Sequence, residues 1–330
     1  MAANDYVAHV LLIGVGSIGG VYLYQLQRAR CFVTAVCRSN YEVVKERGFK
    51  LTSVRFGNVN YKPDNMIRTV AEASGQHFDH IVVCTKSLPD ERPTLSEVLR
   101  PVLVDHPETS IVLAQNGIAI EDDISRAFPD NPIISGVVYC PAQQTAPGEI
   151  DYPEMLNLFE LGTFPANAPT RHKEAAAAFA SLMIAGGGGA KIHDDIQPIR
   201  WSKLLMNAAW SPICALTLCT DGDFLLTSDP FARELVWDIM LEVISLARVI
   251  GIDGVTEEVA KDKLAISLKR SESGTGREMS MLQDIRHGRH FEVEVLVGNT
   301  VRLGRAHEVP MLRLETIYAL LKAREASLLR

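Results

Sequence analysis

Short apolar runs alternate with helix-like stretches through the first half of the chain. Residues 9–13 are His-Val-Leu-Leu-Ile and end at Gly14, the signature of a buried strand. Residues 17–28 follow as a helix, and 31–37, rich in β-branched and aromatic side chains, as a second strand. Asn40 is placed to cap a helix that runs to about Arg47 and stops at Gly48. Residues 79–84 and 110–114 read as two more buried strands, with 89–104 mostly helical between them. Continuous apolar strands separated by helices predict a parallel sheet covered on both faces. Residues 132–138 and 156–161 add strands of mixed direction, and Gly186-Gly187-Gly188-Gly189 reads as a loop near the end of this layer.

From about Pro198 the period changes. Helical patterns cover 198–218, 228–250, 255–270, 278–288 and 311–328, and only 291–295 is ambiguous between strand and helix. The expected architecture is α/β, with a doubly wound sheet domain over 1–196 and an all-helical domain over 197–330. A chain of 330 residues is long enough for two such domains.

Gly14-Val15-Gly16-Ser17-Ile18-Gly19 is G-x-G-x-x-G between a predicted strand and a predicted helix. The first glycine allows the tight turn, the second lets a pyrophosphate approach the backbone, and the third lets helix and strand pack closely. The free N–H groups at the helix start would hold the anion. A plain βα turn is the bland alternative. Charge changes this picture little: 33 basic against 40 acidic residues give a net −7, which argues against general nucleic-acid binding but leaves room for a local phosphate site. No apolar stretch is long enough to span a membrane. The start, Met1 to Asp5, lacks the basic region of a signal peptide. The six cysteines contain no C-x-x-C pair and read as buried free thiols of a cytoplasmic protein.

The tip of the second strand reads Ala35-Val36-Cys37-Arg38, with no carboxylate for a ribose diol. A guanidinium there suits the 2′-phosphate of NADP, or is a surface arginine. Lys86 follows another strand's C-terminal end, the rim that faces ligands in open α/β sheets, or is a solvated lysine. In the apolar stretch 201–216, Lys203, Asn207 and Ser211 recur every four residues and share one helix face. So narrow a polar line borders a wet cleft, or is a solvent-facing lysine with two satisfied core polar residues. Desolvation at a partly buried lysine would favour release of its proton. Ser280, Asp284, Gly288 and Glu292 form a second group, in which a carboxylate returns after a turn and could orient a lysine; spacing alone favours the plainer reading, a helix start with surface charges. His287, His290 and Glu292 lack a further clear ligand, and no metal is expected.

Taken together, the glycine turn, Arg38, Lys86, Gln115-Asn116-Gly117, the stretch from Trp201 to Asn207, and the stretch from Ser280 to Ile285 with Gly288-Arg289 and Glu292 resemble the ketopantoate reductase (2-dehydropantoate 2-reductase) family over nearly the whole chain. The resemblance implies an N-terminal NADP-binding Rossmann domain, a helical second domain and an active site in the cleft between them. It implies Lys203 as the catalytic lysine and Glu292 as the carboxylate paired with it and with bound ligands. Asn116, Asn207 and Ser280 match substrate-side contacts, with Ser211 next along the line. Gly14, Val15, Gly16, Ser17, Ile18, Gly19, Arg38, Lys86, Asn116 and Ala142 are the implied contacts to NADP(H). The best-known bacterial members carry asparagine where this chain has Ser211, and an Asn-Gly order where it has Gly298-Asn299. The implied reaction is NADPH-dependent reduction of 2-dehydropantoate to pantoate, in pantothenate and coenzyme A biosynthesis. Another branched or aromatic 2-oxo acid stays open as substrate, as does a non-catalytic NADP(H) sensor, although retention of both Lys203 and Glu292 weighs against the sensor. A small 2-oxo acid is the expected partner. A homodimer stays open.

Overall fold

A computed structural model describes residues 6–328, so the reading of the first five residues lies outside it. The chain forms two compact units. The first comprises residues up to Thr85, Arg92–Gln115 and Glu121–Ile196. The second comprises Lys86–Glu91, Asn116–Ile120 and the described residues from Gln197 onward.

The first unit runs β1 (Ala8–Ile13), α1 (Ser17–Arg28), β2 (Cys31–Val36), α2 (Tyr41–Arg47), β3 (Phe49–Ser53), β4 (Gly57–Tyr61), β5 (Asn65–Ile67), β6 (His80–Val83), α3 (Leu95–Leu103), β7 (Ser110–Leu113), α4 (Asp122–Ala127), β8 (Ile133–Tyr139), β9 (Gln143–Ala146), β10 (Glu149–Tyr152), β11 (Leu158–Thr163), α5 (Thr170–Ala185) and β12 (Gly189–Ile192). An eight-stranded sheet has the order β12-β11-β8-β7-β6-β1-β2-β5. Neighbours from β5 to β8 run parallel; β11 is antiparallel to β8 and parallel to β12. The apolar runs of β1, β6 and β7 are buried along nearly their whole length, as a sheet covered on both faces requires.

Three local expectations change. Residues 89–94 are not helical: Thr94 closes a capping box with Glu97, so α3 starts at Leu95. Asn40 stands at the N-cap of α2 but makes no cap hydrogen bond, because its side chain serves the glycine turn. The run of glycines turns only through Gly186 and Gly187, since Gly189 already belongs to β12. A second sheet, β4-β3-β10-β9, was not expected from the pattern.

The second unit is helical: α6 (Gln197–Thr217), α7 (Asp221–Ser228), α8 (Phe231–Val249), α9 (Glu257–Glu272), α10 (Ser280–Arg286), α11 (Asn299–Ala306) and α12 (Leu312–Leu328). Helix α6 packs on α8, α9, α10 and α12, and its Trp201, Leu204, Leu205, Ala208 and Trp210 are buried. Helix α7 is separate from α8 because Pro230 stands at the start of α8, while Thr220 caps α7. Asp221, fully buried, accepts from Ser267 Oγ at 2.9 Å and from the Arg277 N–H at 2.7 Å, which ties α7 to α9 and the segment before α10. The ambiguous 291–295 forms no strand. Its end enters a π-helical turn, Glu294–Gly298, that leads into α11. Burial pushes the Glu294 carboxyl up, but Lys322, Arg302 and Tyr318 together hold it below the usual range. Among the described residues no helix is long and apolar enough to cross a membrane. The cysteines are free, and burial pushes Cys31, Cys37 and Cys214 up to about 12.

Candidate active site

In the first unit, β1 lies between β2 and β6, so the chain order reverses at its C-terminal end, where crevices open in sheets of this kind. The glycine turn occupies that point. Gly14 has φ +86°, and a Cβ there would lie 2.6 Å from Thr85 Cγ2. A Cβ on Gly19 would lie 2.2 Å from the Gly14 carbonyl oxygen. Both glycines are therefore required by the protein's own packing. Gly16 is not: its nearest neighbour would be Gln144 Oε1 at 3.7 Å. The missing side chain at Gly16 leaves space before the start of α1, which has no side-chain cap. That is the cradle an approaching phosphate needs.

Val15 is buried, while Ser17 and Ile18 are half-buried. Asn40 Nδ2 donates to the Val15 carbonyl at 2.8 Å, and Gln144 Nε2 donates to Asn40 Oδ1 at 2.9 Å. This amide pair fixes the outer wall of the turn. Arg38 stands exposed two residues beyond β2. Ala142, half-buried, lies between β8 and β9 with its N–H on the Cys140 carbonyl at 2.9 Å.

In the second unit, Lys203 Nζ on α6 donates to Asn116 Oδ1 at 2.9 Å. The Asn116 Nδ2 donates to Glu292 Oε2 at 3.2 Å, and Glu292 Oε1 accepts the Ser87 N–H at 3.0 Å. The pairing of Lys203 with Glu292 implied by the resemblance thus runs through Asn116, whose amide presents its oxygen to the ammonium and its NH₂ to the carboxylate. Lys203 is lowered to about 8, first by burial and then by Arg200, with Glu292 opposing. A lysine so placed is mostly charged at neutral pH yet close to releasing its proton. Nearby, Lys86 forms an ion pair with the Asp284 carboxylate and donates to the His290 carbonyl at 3.1 Å. Burial raises Asp284 despite Lys86 and Arg289.

Arg200, Asn299 and Val295, none of them a predicted site residue, hold the segment that follows Asn116 in place. Arg200 Nη1 donates to the Gly117 carbonyl at 2.8 Å, and Asn299 Nδ2 to the Ile118 carbonyl at 2.7 Å. The Ile118 N–H bonds the Val295 carbonyl at 3.0 Å. Arg200, only 3% exposed, carried a signal that could have found it: a charged residue one turn before Lys203 in an apolar stretch. Asn207 is half-buried beyond Lys203, whereas Ser211 is only 2% exposed, so the polar line descends into the core. Ser280 is exposed as the first residue of α10. His287 Nδ1 lies 2.6 Å from the Gln283 carbonyl and His290 Nδ1 3.6 Å from Glu91, while Glu292 serves Asn116 and Ser87. Those three side chains are spread over separate partners.

An α/β unit with a glycine turn at its switch point, and a helical unit carrying a lysine–amide–carboxylate chain, define the class of enzyme to which comparison should lead. The family described as "Ketopantoate reductase PanE/ApbA" matches residues 10–165, and its C-terminal counterpart matches residues 195–325. The chain belongs to the ketopantoate reductase family, a family of oxidoreductases. It is 32% identical to the 2-dehydropantoate 2-reductase of Methylococcus capsulatus, whose crystal structure superposes with a TM-score of 0.82 over 98% of each chain. It is 27% identical to the 2-dehydropantoate 2-reductase of Mesorhizobium japonicum, over 95% of this chain and 96% of that one. The fold also matches a D-mandelate dehydrogenase solved with NADH and anilino(oxo)acetate, at 22% identity and a TM-score of 0.83, over 97% of this chain and 99% of that one.

Proposed function

We propose that this protein is an NADPH-dependent reductase of 2-dehydropantoate, yielding pantoate for pantothenate and coenzyme A synthesis. The observation that carries the reading is the chain Lys203–Asn116–Glu292 with its lysine near pKa 8. A 2-oxo acid develops negative charge on its carbonyl oxygen as C2 is reduced. Lys203 Nζ stabilises that oxygen and gives it a proton. Asn116 aims the ammonium. Glu292 anchors Asn116 and is available to the new hydroxyl. Asn207 and Ser280 are assigned to the polar atoms of the substrate, with Ser211 behind them.

The cradle at Gly16 fits a dinucleotide pyrophosphate. Gly14 to Gly19 hold it, Arg38 receives the 2′-phosphate, and Lys86, Asn116 and Ala142 are assigned to the rest of the cofactor. When bound, the nicotinamide supplies the hydride. In this division of labour, residues 1–196 carry the cofactor in a Rossmann-type domain and 197–330 the acid–base machinery.

The depth of Ser211 favours a second reading, another branched or aromatic 2-oxo acid, because a hydroxyl 2% exposed has little reach toward a substrate hydroxyl. One assay tests both: NADPH oxidation measured against a panel of 2-oxo acids, including 2-dehydropantoate and its deoxy analogue. The first reading requires the highest kcat/KM for 2-dehydropantoate. A clear preference for an aromatic acid selects the second, and inertness toward every acid refutes both.

A further inference from the structure

Far along the sequence from the glycine turn, three side chains of the first unit converge. His77 lies in the loop before β6; His106 and Glu108 lie in the loop between α3 and β7. His77 Nε2 is 3.2 Å from Glu108 Oε1, and His106 Nδ1 is 3.3 Å from the same oxygen. One ligand atom from each of the three lies within 4.8 Å of the others. The two rings meet edge to face, 5.5 Å between centroids.

The frame behind these groups is fixed by hydrogen bonds that do not involve their side chains. The His106 carbonyl accepts Asn131 Nδ2 at 2.8 Å and the Thr109 N–H at 3.2 Å. Thr109 Oγ1 donates to the Phe78 carbonyl at 2.6 Å. That bond joins the residue after His77 to the residue after Glu108. The two loops are therefore held together whether or not anything bridges their side chains.

Donor atoms around a tetrahedral ion with bonds of ~2.0–2.1 Å stand about 3.3–3.4 Å apart. The separations of 3.2 and 3.3 Å match that edge. Two imidazoles and one carboxylate suit borderline first-row ions, and three protein ligands leave a fourth position for water.

We propose that His77 Nε2, His106 Nδ1 and a Glu108 carboxylate oxygen form a three-ligand site for a divalent transition ion, zinc by preference, that clips the loop before β6 to the loop before β7. The site takes no part in the reductase chemistry and does not depend on that assignment.

The test uses the untagged full-length protein. Zn²⁺ alone is titrated by calorimetry and Co²⁺ alone by visible absorption. One equivalent should bind, with a cobalt spectrum free of the intense near-ultraviolet band that thiolate ligation gives. His77→Ala, His106→Ala and Glu108→Gln should each weaken Zn²⁺ at least about tenfold. The rise in Tm that saturating Zn²⁺ gives the native protein should shrink in each variant. Glu108→Gln keeps shape and volume, so its apo Tm reports whether the fold is intact. Absence of saturable binding, a thiolate band, or native affinity in any one of the three variants overturns the proposal.

Discussion

Lys203 shows how surroundings set one residue's hold on a proton. Burial and the Arg200 guanidinium weaken its hold on a proton, and Glu292 only partly restores it. With a value of about 8, the ammonium form dominates below that pH and is lost above it. A reduction that needs the proton should therefore show kcat/KM falling as pH rises through about 8, with a slope of one proton. Lys203→Ala should cut turnover by about 10²–10⁴, abolish that limb of the profile and leave NADPH binding in place. A variant with the native pH profile would exclude Lys203 as the acid. Arg38 makes a parallel case for the cofactor. It is exposed, and a charge-assisted bond to a 2′-phosphate is worth about 1.5–3 kcal/mol. Arg38→Ala should weaken NADPH by roughly ten- to a hundredfold and leave NADH nearly unchanged in fluorescence titrations. Equal losses for both would make Arg38 structural.

At the scale of elements, the segment from Asn116 to Ile118 is what links a lysine to a carboxylate through one amide. It is pinned to α6 by Arg200, to α11 by Asn299 and to the π-helical turn by Val295. Gly117 permits the fit: its φ is +94°, and a Cβ would lie 2.4 Å from Val295 Cβ. Gly57 provides a control, with φ +75° and nothing within 4 Å of the added atom. Gly57→Ala should cost about 1 kcal/mol in denaturant unfolding and no turnover. Gly117→Ala adds a clash to the same backbone penalty, so it should cost about 1–3 kcal/mol more and lower kcat as Asn116 shifts. Equal effects of the two would show that the approach to Val295 does not position Asn116. Much of this was hidden in the sequence for a physical reason. Strands β1, β2, β6 and β7 announce themselves because a doubly covered sheet needs continuous apolar runs, and α1 because glycine precedes it. Strands β4 and β9, Gly-Asn-Val-Asn-Tyr and Gln-Gln-Thr-Ala, are mostly exposed and carry no such run. Lys203, Asn116 and Glu292 could be picked out by spacing and resemblance. Ser87 could not, and Asn299 stood out only as a departure from the family's Asn-Gly order, since they act across 205 and 181 residues of chain through backbone groups.

The whole molecule is threaded so that the helical unit borrows two short pieces from the middle of the sheet-forming sequence. The chain leaves the first unit after Thr85 and returns at Arg92, then leaves again after Gln115 and returns at Glu121. Those excursions bring Lys86, Ser87 and Asn116 to Asp284 and Glu292. Each excursion is anchored at both ends by strands or helices of the first unit: β6 and α3 for one, β7 and α4 for the other. Unfolding of the sheet would release both anchors and raise the entropic cost of holding Asn116 and Ser87 beside Glu292. The two units should therefore melt together. Calorimetry should give a single transition, although a chain of this length could show two. If NADPH binds only the folded glycine turn, a concentration about 100 times its Kd should stabilise the protein by about 2.7 kcal/mol and move that one transition as a whole. In Arg38→Ala the same NADPH concentration should move it less, while NADH should act alike on both proteins. Two transitions, of which NADPH shifts only one, would show that the borrowed segments do not couple the units. A single transition that NADPH leaves in place would show instead that the glycine turn does not hold this cofactor.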